Sequence, residues 1–517
     1  MKRAFLVSVL FFAVCASCKK KVEKQAVSAQ PTKKSYDEPH RNQFHFSPPE
    51  KWMNDPNGLV YNEGVYHLYY QYYPEDIVWG PMHWGHATSK DLIQWDHQPI
   101  ALFPDEHGYI FSGSAVVDHK NSSGFGTAEK PALVAIFTYH LMEGEKAGRN
   151  DFQTQGIAYS NDNGQTWTKY EGNPVIKNPT SIRDFRDPKV FWHDESNQWI
   201  MALVAGDHAK FYSSPNLKEW TYLSEFGKTV GAHGGVWECP DLFKLKVEGE
   251  EEEKWVLLIS INPGAPNGGS GTQYFIGDFD GNTFTTNQKD IKWLDYGTDN
   301  YAGVTYNNTP DDQRLFIGWM SNWNYAQKTP TKEWRSAMTI PRKLDLIKLK
   351  GDYLLKSVPM DALNKYATSM QKFEKENLDS IYTLDISKST SHKTSFYIDP
   401  DKSISIELKN KANEKVVINY NTETSEFQID RSKSGITDFE ESFKDSMRMP
   451  VKTNNIRPKI ELFVDRSSIE LFFDDGNYVM TLQVFPTSPY DEMTFSGQQG
   501  QLLDHFEYST IKSTWNE

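Results

Sequence analysis

The 517-residue sequence predicts an all-β fold, a five-bladed β-propeller followed by a C-terminal β-sandwich. Three observations carry that prediction. Aromatic residues make up 14% of the chain, with 15 Trp and 26 Tyr set among frequent turn residues, a composition that suits sheets. Similar turns recur: Ser89 to Trp95, Ser160 to Trp167 and Ser213 to Trp220 each run from a Ser through a polar turn to a Trp six or seven residues on. Such degenerate repetition, at intervals of roughly 50 to 70 residues, is the signature of blades, and about 300 residues make five of them. Finally, three acidic residues stand just ahead of a proline or of a Cys-Pro pair. They are Asp55 in Trp52-Met53-Asn54-Asp55-Pro56-Asn57-Gly58, Asp187 in Arg186-Asp187-Pro188, and Glu238 in Glu238-Cys239-Pro240-Asp241. Each is followed by an apolar strand, a polar turn and a second strand. A residue before proline is pushed towards extended geometry, so each stretch reads as the beginning of a strand.

Taken in order, the chain opens with Lys2 and Arg3 and an apolar run over residues 4–16. That run is short of the roughly 20 residues needed to span a bilayer, so residues 1–17 read as a signal peptide. Small residues directly before Cys18 resemble a bacterial lipobox, which would make Cys18 a lipidation site and place the protein at the cell envelope, with an ordinary secretory signal as the alternative. The three lysines after Cys18 incline the reading towards a periplasm-facing anchor. Residues 18–40 are polar and lysine-rich and read as a tether. Residues 41–343 alternate strand and turn and form the propeller. Residues 344–375 are richer in Lys and Leu and read as a connector, partly helical. Residues 376–517 alternate again, with a hairpin turning at residues 465–468, and read as the β-sandwich.

The formal net charge of −14 argues against nucleic acid and favours a neutral ligand. If Cys18 is acylated, Cys239 has no disulfide partner after signal removal, and no cysteine spacing suggests zinc. Equivalent positions in repeated blades can converge on the propeller axis. Three carboxylates meeting there cost repulsion and desolvation, which marks them as an active site.

These motifs resemble glycoside hydrolase family 32, the invertases, inulinases and levanases. Further matches are Tyr70-Gln71-Tyr72, Trp79-Gly80-Pro81, Phe111-Ser112-Gly113-Ser114-Ala115 and Gly318-Trp319-Met320-Ser321-Asn322-Trp323. The resemblance implies retaining hydrolysis of β-fructofuranosidic bonds, with Asp55 as nucleophile, Glu238 as general acid/base and Asp187 as transition-state stabiliser. It makes Trp52, Asn54, Gln71, Trp79, Phe111, Ser112, Arg186 and Trp319 substrate-binding residues, with Trp79 and Trp319 as pocket walls. Arg186 is placed to offset repulsion among the acids. The substrate partner is a fructose-containing oligo- or polysaccharide; no cofactor and no metal are expected. In Asp299-Asn300-Tyr301-Ala302 the chain departs from the family, which more often has an aromatic residue at Asn300.

Chemistry independent of the resemblance agrees. Retaining cleavage needs one carboxyl group to attack and another to protonate the leaving oxygen. Asp187, bonded to ring hydroxyls, would gain strength as oxocarbenium charge develops. Competing readings fit less well. A lone Asp-Pro is usually a turn, and Cys239 reads as a small buried residue because nothing nearby marks an activating base. A sialidase would use a Tyr nucleophile, and a binding propeller without catalysis would not need all three acids. Residues 318–323 resemble the exo-acting members of the family in carrying two tryptophans, which implies a closed pocket and an exo mode of attack, with an endo-acting fructanase as the alternative.

Overall fold

The computed structural model describes residues 35–178 and 182–515. The signal peptide and Cys18 lie outside the described residues. Five sheets surround one axis, each placing one long strand at the centre: Lys51–Asn62, Tyr109–Val117, Phe185–His193, Val236–Lys246 and Tyr301–Thr305. Consecutive inner strands pack on one another, and the fifth returns to the first. The ring closes through residues 334 and 335, which pair in parallel with Lys51 and Trp52 of the first inner strand. The middle strands are the most apolar. Leu133–His140, for example, is buried at every position, as expected of a strand covered on both faces.

The repeated Ser-to-Trp turns share one mechanism. Ser89 Oγ accepts from Leu92 N (2.8 Å) and Asp91 Oδ1 from Gln94 N (2.9 Å). Ser160 Oγ accepts from Gly164 N (2.9 Å) and Asp162 Oδ1 from Thr166 N (2.9 Å). In the third copy Ser214 and Asn216 play these parts, with Asn216 Oδ1 accepting from Glu219 N (2.9 Å). Short polar side chains thus satisfy the turn's own N–H groups.

Two predicted boundaries are corrected. The propeller does not end at residue 343, because strand Arg342–Leu349 pairs with Arg314–Met320 and with Asp352–Pro359 to finish the fifth blade. The expected connector dissolves into these two strands, a 3₁₀ turn at Asp361–Tyr366, and the first sandwich strand, Ala367–Asn377. The packed chain also begins before residue 41: Tyr36 stacks on Trp515 with ring centroids 4.3 Å apart, and the Arg41 guanidinium lies over the Trp334 ring.

The C-terminal part is a sandwich of two six-stranded sheets around a core that includes Ile406, Ile418, Phe427, Leu462, Leu471 and Phe495. The expected hairpin is present as two paired antiparallel strands, Lys459–Asp465 and Ser468–Phe473. Sandwich strand Tyr478–Gln483 continues hydrogen bonding into the propeller, where Tyr296 N donates to Val479 O (2.8 Å) and Asp299 N to Thr481 O (3.1 Å).

Candidate active site

Each of the five inner strands breaks register near one end of the axis, and the first breaks again between Asn57 and Val60. The breaks fall between Met53 and Pro56, between Ile110 and Gly113, opposite Ala202 and Val204, between Glu238 and Asp241, and between Tyr301 and Val304. At the last three, Asp187, Cys239 and Ala302 hold positive φ of 65°, 46° and 54°. Left-handed backbone at non-glycine residues is costly and persists where the surroundings enforce it. A bulge re-aims side chains and removes ladder bonds, so it is also where an inner strand can hold proline. The acids therefore lie inside their strands, at the bulges.

There the three acids meet. Asp55 accepts from Ser112 Oγ (2.6 Å) and Asn54 Nδ2 (2.9 Å), and Trp52 Nε1 holds Asn54 Oδ1 (2.7 Å). Asp187 accepts from Cys239 N (3.0 Å), while its own N–H donates to Thr138 Oγ1 (3.0 Å). Cys239 Sγ lies 3.6 Å from Asp55 Oδ2 and 3.7 Å from Asp187 Oδ2, so one sulfur touches both aspartates. Glu238 Oε1 accepts from Arg186 Nη2 (2.9 Å) and Nε (3.2 Å), and Glu238 Oε2 accepts from the Tyr301 hydroxyl. Arg186 Nη1 turns to Asp184 Oδ1 at 2.5 Å.

Burial and the Glu238 charge raise the Asp55 carboxyl above its ordinary range, against the pull of Ser112 and Asn54. Burial drives Asp187 up to about 7; Arg186 opposes this, and Glu238 and Asp55 reinforce it. Burial works against the Arg186 charge, but Glu238, Asp187 and Asp184 more than offset it and keep the guanidinium firmly protonated. Burial and the neighbouring carboxylates push the Cys239 thiol far up, so it is a poor nucleophile, in line with its reading from sequence.

The acids open into a pocket of about 290 Å³. Of the residues singled out from sequence as substrate-binding, Asn54, Gln71, Trp79, Phe111, Ser112 and Arg186 line it. Two predicted residues do not. Trp52 and Trp319 are fully buried; Trp52 acts on the site through Asn54, and Trp319 is core behind Trp323. The wall assigned to Trp319 is built by Trp323, which stacks on Trp52 at 5.9 Å. Trp319 falls on a strand position facing the core, whereas Trp323 follows the strand's end at Met320, where loops carry function. Asn300 points away from the pocket and donates to Asp295 Oδ2 (3.1 Å), so the departure there does not reach the site; its neighbour Tyr301 does.

Several lining residues carried no motif: His140, Glu145, Phe152, Gln153, Asp184 and Gln327. Burial chiefly lowers the His140 ring to a pKa of about 4, so it is neutral at physiological pH and lies flat beneath Phe111 at 4.2 Å. A larger groove of about 1190 Å³ lies elsewhere, between the outer strands of the last two blades and the sandwich, but it holds none of the three acids. Chemistry, rather than volume, picks out the smaller pocket.

Comparison with known proteins agrees with this geometry. Residues 45–359 match the glycosyl hydrolases family 32 N-terminal domain, and residues 360–512 match the glycosyl hydrolases family 32 C-terminal domain. That division falls at the end of the fifth blade. A levanase of Bacillus subtilis (strain 168) is 46% identical over 463 residues, covering 87% of this chain and 67% of its own. An extracellular exo-inulinase of Aspergillus awamori is 39% identical over 525 residues, covering 93% and 96%. Among solved structures, exo-inulinase from Aspergillus awamori superposes with a TM-score of 0.86 at 38% identity, covering 93% of this chain and 100% of that one. β-Fructofuranosidase from Schwanniomyces occidentalis, complexed with fructosyl-erythritol, gives 0.82 at 32% identity, covering 92% and 98%.

Proposed function

The chain belongs to glycosyl hydrolase family 32, and from that premise we propose that it is a retaining β-fructofuranosidase that removes fructose units from the ends of fructans and cleaves sucrose. The observation that carries the reading is the convergence of Asp55, Asp187 and Glu238 on one small pocket walled by Trp79, Phe111 and Trp323. Asp55 attacks the anomeric carbon while Glu238 gives its proton to the departing oxygen. The fructosyl–Asp55 ester then yields to water, from which Glu238 takes back a proton. Asp187, fixed by the Cys239 amide, faces the sugar hydroxyls, and its bonds to them strengthen as charge grows on the ring.

The pocket's volume is at the low end for ligand sites, the size for a chain end and not for a polymer passing through. The relatives named exo-inulinase support the same mode. Early products from levan and inulin test it. Free fructose as the sole early product is expected; a ladder of oligosaccharides would move the reading to an endo-fructanase. We further propose a lipid anchor at Cys18, so that Cys18→Ala moves the protein out of the membrane fraction; a variant that stays there would refute the anchor.

A further inference from the structure

One sandwich side chain reaches two separate segments of the propeller, and both segments end in the pocket. Arg431 lies on sandwich strand Glu426–Lys433 and is fully buried. Its Nη1 donates to Asp299 Oδ2 (2.7 Å) and Gln483 O (2.9 Å), its Nη2 to Thr298 Oγ1 and to the Tyr325 hydroxyl (2.9 Å each), and its Nε to Phe443 O (2.9 Å). The Tyr325 hydroxyl in turn donates to Asp299 Oδ1 at 2.7 Å. Asp299 precedes by two residues Tyr301, whose hydroxyl bonds Glu238. Tyr325 follows by two residues Trp323, the pocket wall, and precedes by two Gln327, which lines the same pocket. Asn322 Nδ2 joins the two segments again at Thr298 O (2.9 Å).

Burying an arginine this completely adds little net stability compared with apolar packing, because desolvation takes back most of the attraction. What the planar fork does supply is geometry, fixed in several directions at once. We propose that Arg431 is a positioning residue for hydrolysis. From the sandwich it clamps Tyr325 to Asp299, and so sets both the Trp323 wall and the Tyr301 hydroxyl that orients Glu238. The inference rests on the proposed fructosidase activity.

The test uses the full-length protein with Tyr325→Phe, which keeps the ring and removes the shared hydroxyl, and Arg431→Lys, which keeps the charge and removes the fork. Leu471→Ala, in the sandwich core, serves as a control that loses stability without touching the clamp. Assays run well below the lowest unfolding temperature. Each clamp variant is expected to lose about tenfold or more in kcat on sucrose and fructan, since small misplacements at a reacting centre are costly. The loss should be smaller on an activated aryl fructoside, which depends less on proton donation, and the pH–rate limb of the acid should move. Leu471→Ala should keep both kcat and pH profile. Wild-type kcat, leaving-group dependence and pH profile in the clamp variants would overturn the proposal, as would an equal loss in Leu471→Ala. If Arg431→Lys does not fold, Tyr325→Phe alone decides. A wild-type protein inactive on every fructoside would instead defeat the functional reading.

Discussion

Two groups of buried carboxylates in this molecule meet opposite electrostatic fates. In the pocket, Asp187 and Glu238 share a single guanidinium, Arg186, which is also drawn to Asp184, while Asp55 is held by the neutral side chains of Ser112 and Asn54. At the junction of propeller and sandwich, Asp465 and Glu470 are held by His45, whose two ring nitrogens lie 2.8 and 2.9 Å from them, while Arg342 bonds Glu470 and Asp295. Burial pushes Asp55, Asp187, Asp465 and Glu470 upward alike. At the junction the His45 and Arg342 contacts outweigh burial and hold Asp465 and Glu470 below their ordinary range. In the pocket the counter-charge is too small, and Asp55 and Asp187 stay above theirs. The same kinds of side chain are structural where charge is balanced and chemically poised where it is not.

That contrast is broken most severely by exchanging charge within each group. Asp55→Asn should lower kcat on the order of 10⁴-fold or more while leaving the unfolding temperature equal or higher, because it removes a repelled charge along with the nucleophile. Steady-state kinetics and a thermal melt on the same preparation check both halves. Glu238→Gln should cost about 10²- to 10⁴-fold on sucrose and less on an aryl fructoside; equal losses would count against the acid role.

The junction should respond in the opposite sense. Glu470→Gln leaves Arg342 and His45 short of a partner, so about 3–5 kcal/mol of stability should be lost with kcat per folded molecule nearly unchanged. Denaturant titration measures the first quantity and active-site titration the second. A large fall in kcat with unaltered stability would erase the distinction between the two groups.

pH sharpens the contrast further. Asp187 titrates at about 7 when folded and about 3.9 when unfolded, so its contribution to stability is full below about pH 4 and lost as pH rises through 7. Asp465 and Glu470 are shifted down, so their contribution is present above about pH 4 and lost on acidification. Burial opposes the charge on His45, yet its two carboxylates raise it to about 9, and its contribution fades between about pH 6.5 and 9. Asp187→Asn should flatten the decline between about pH 4 and 7, and His45→Gln should remove the one between about 6.5 and 9. Melts across pH that leave both declines in place would contradict these assignments.

How far the sequence reaches differs between the two groups. The pocket acids are legible because each sits one or two residues before a proline in a blade that repeats, and their neighbours form motifs of several residues. The junction acids are not. Asp465 reads only as part of a hairpin turn and Glu470 as a strand residue, since nothing local marks a side chain whose partners are His45 and Arg342, more than a hundred residues away. The blade boundary escapes a reading by composition, although residues 342–347 alternate buried and part-buried positions, the period of a half-covered strand. Its lysines mask that period. Sequence alone does not show where the fifth blade's middle strand stops, so it does not separate Trp323, on the loop, from Trp319, in the core.

The smallest effect is expected where the sandwich touches the pocket's rim through solvent. Lys328, in the 3₁₀ turn Ala326–Lys328 that carries Gln327, pairs with Glu440 of the sandwich, and the lysine side chain is 58% exposed. An exposed pair of this kind contributes little, because water screens it and ordering two long side chains costs entropy. Lys328→Ala should therefore shift the unfolding temperature by a degree or two and leave kcat within about twofold, and added salt should erase even that difference between variant and wild type. The same turn is held from beneath by Tyr325, whose hydroxyl is clamped between Arg431 and Asp299 in a buried interface. If the buried clamp fixes the turn, loss of its surface tie is nearly silent. A fall in kcat of about tenfold for Lys328→Ala would mean that the rim is held from outside, and that the contrast between balanced burial and exposed charge does not govern how the sandwich meets the pocket.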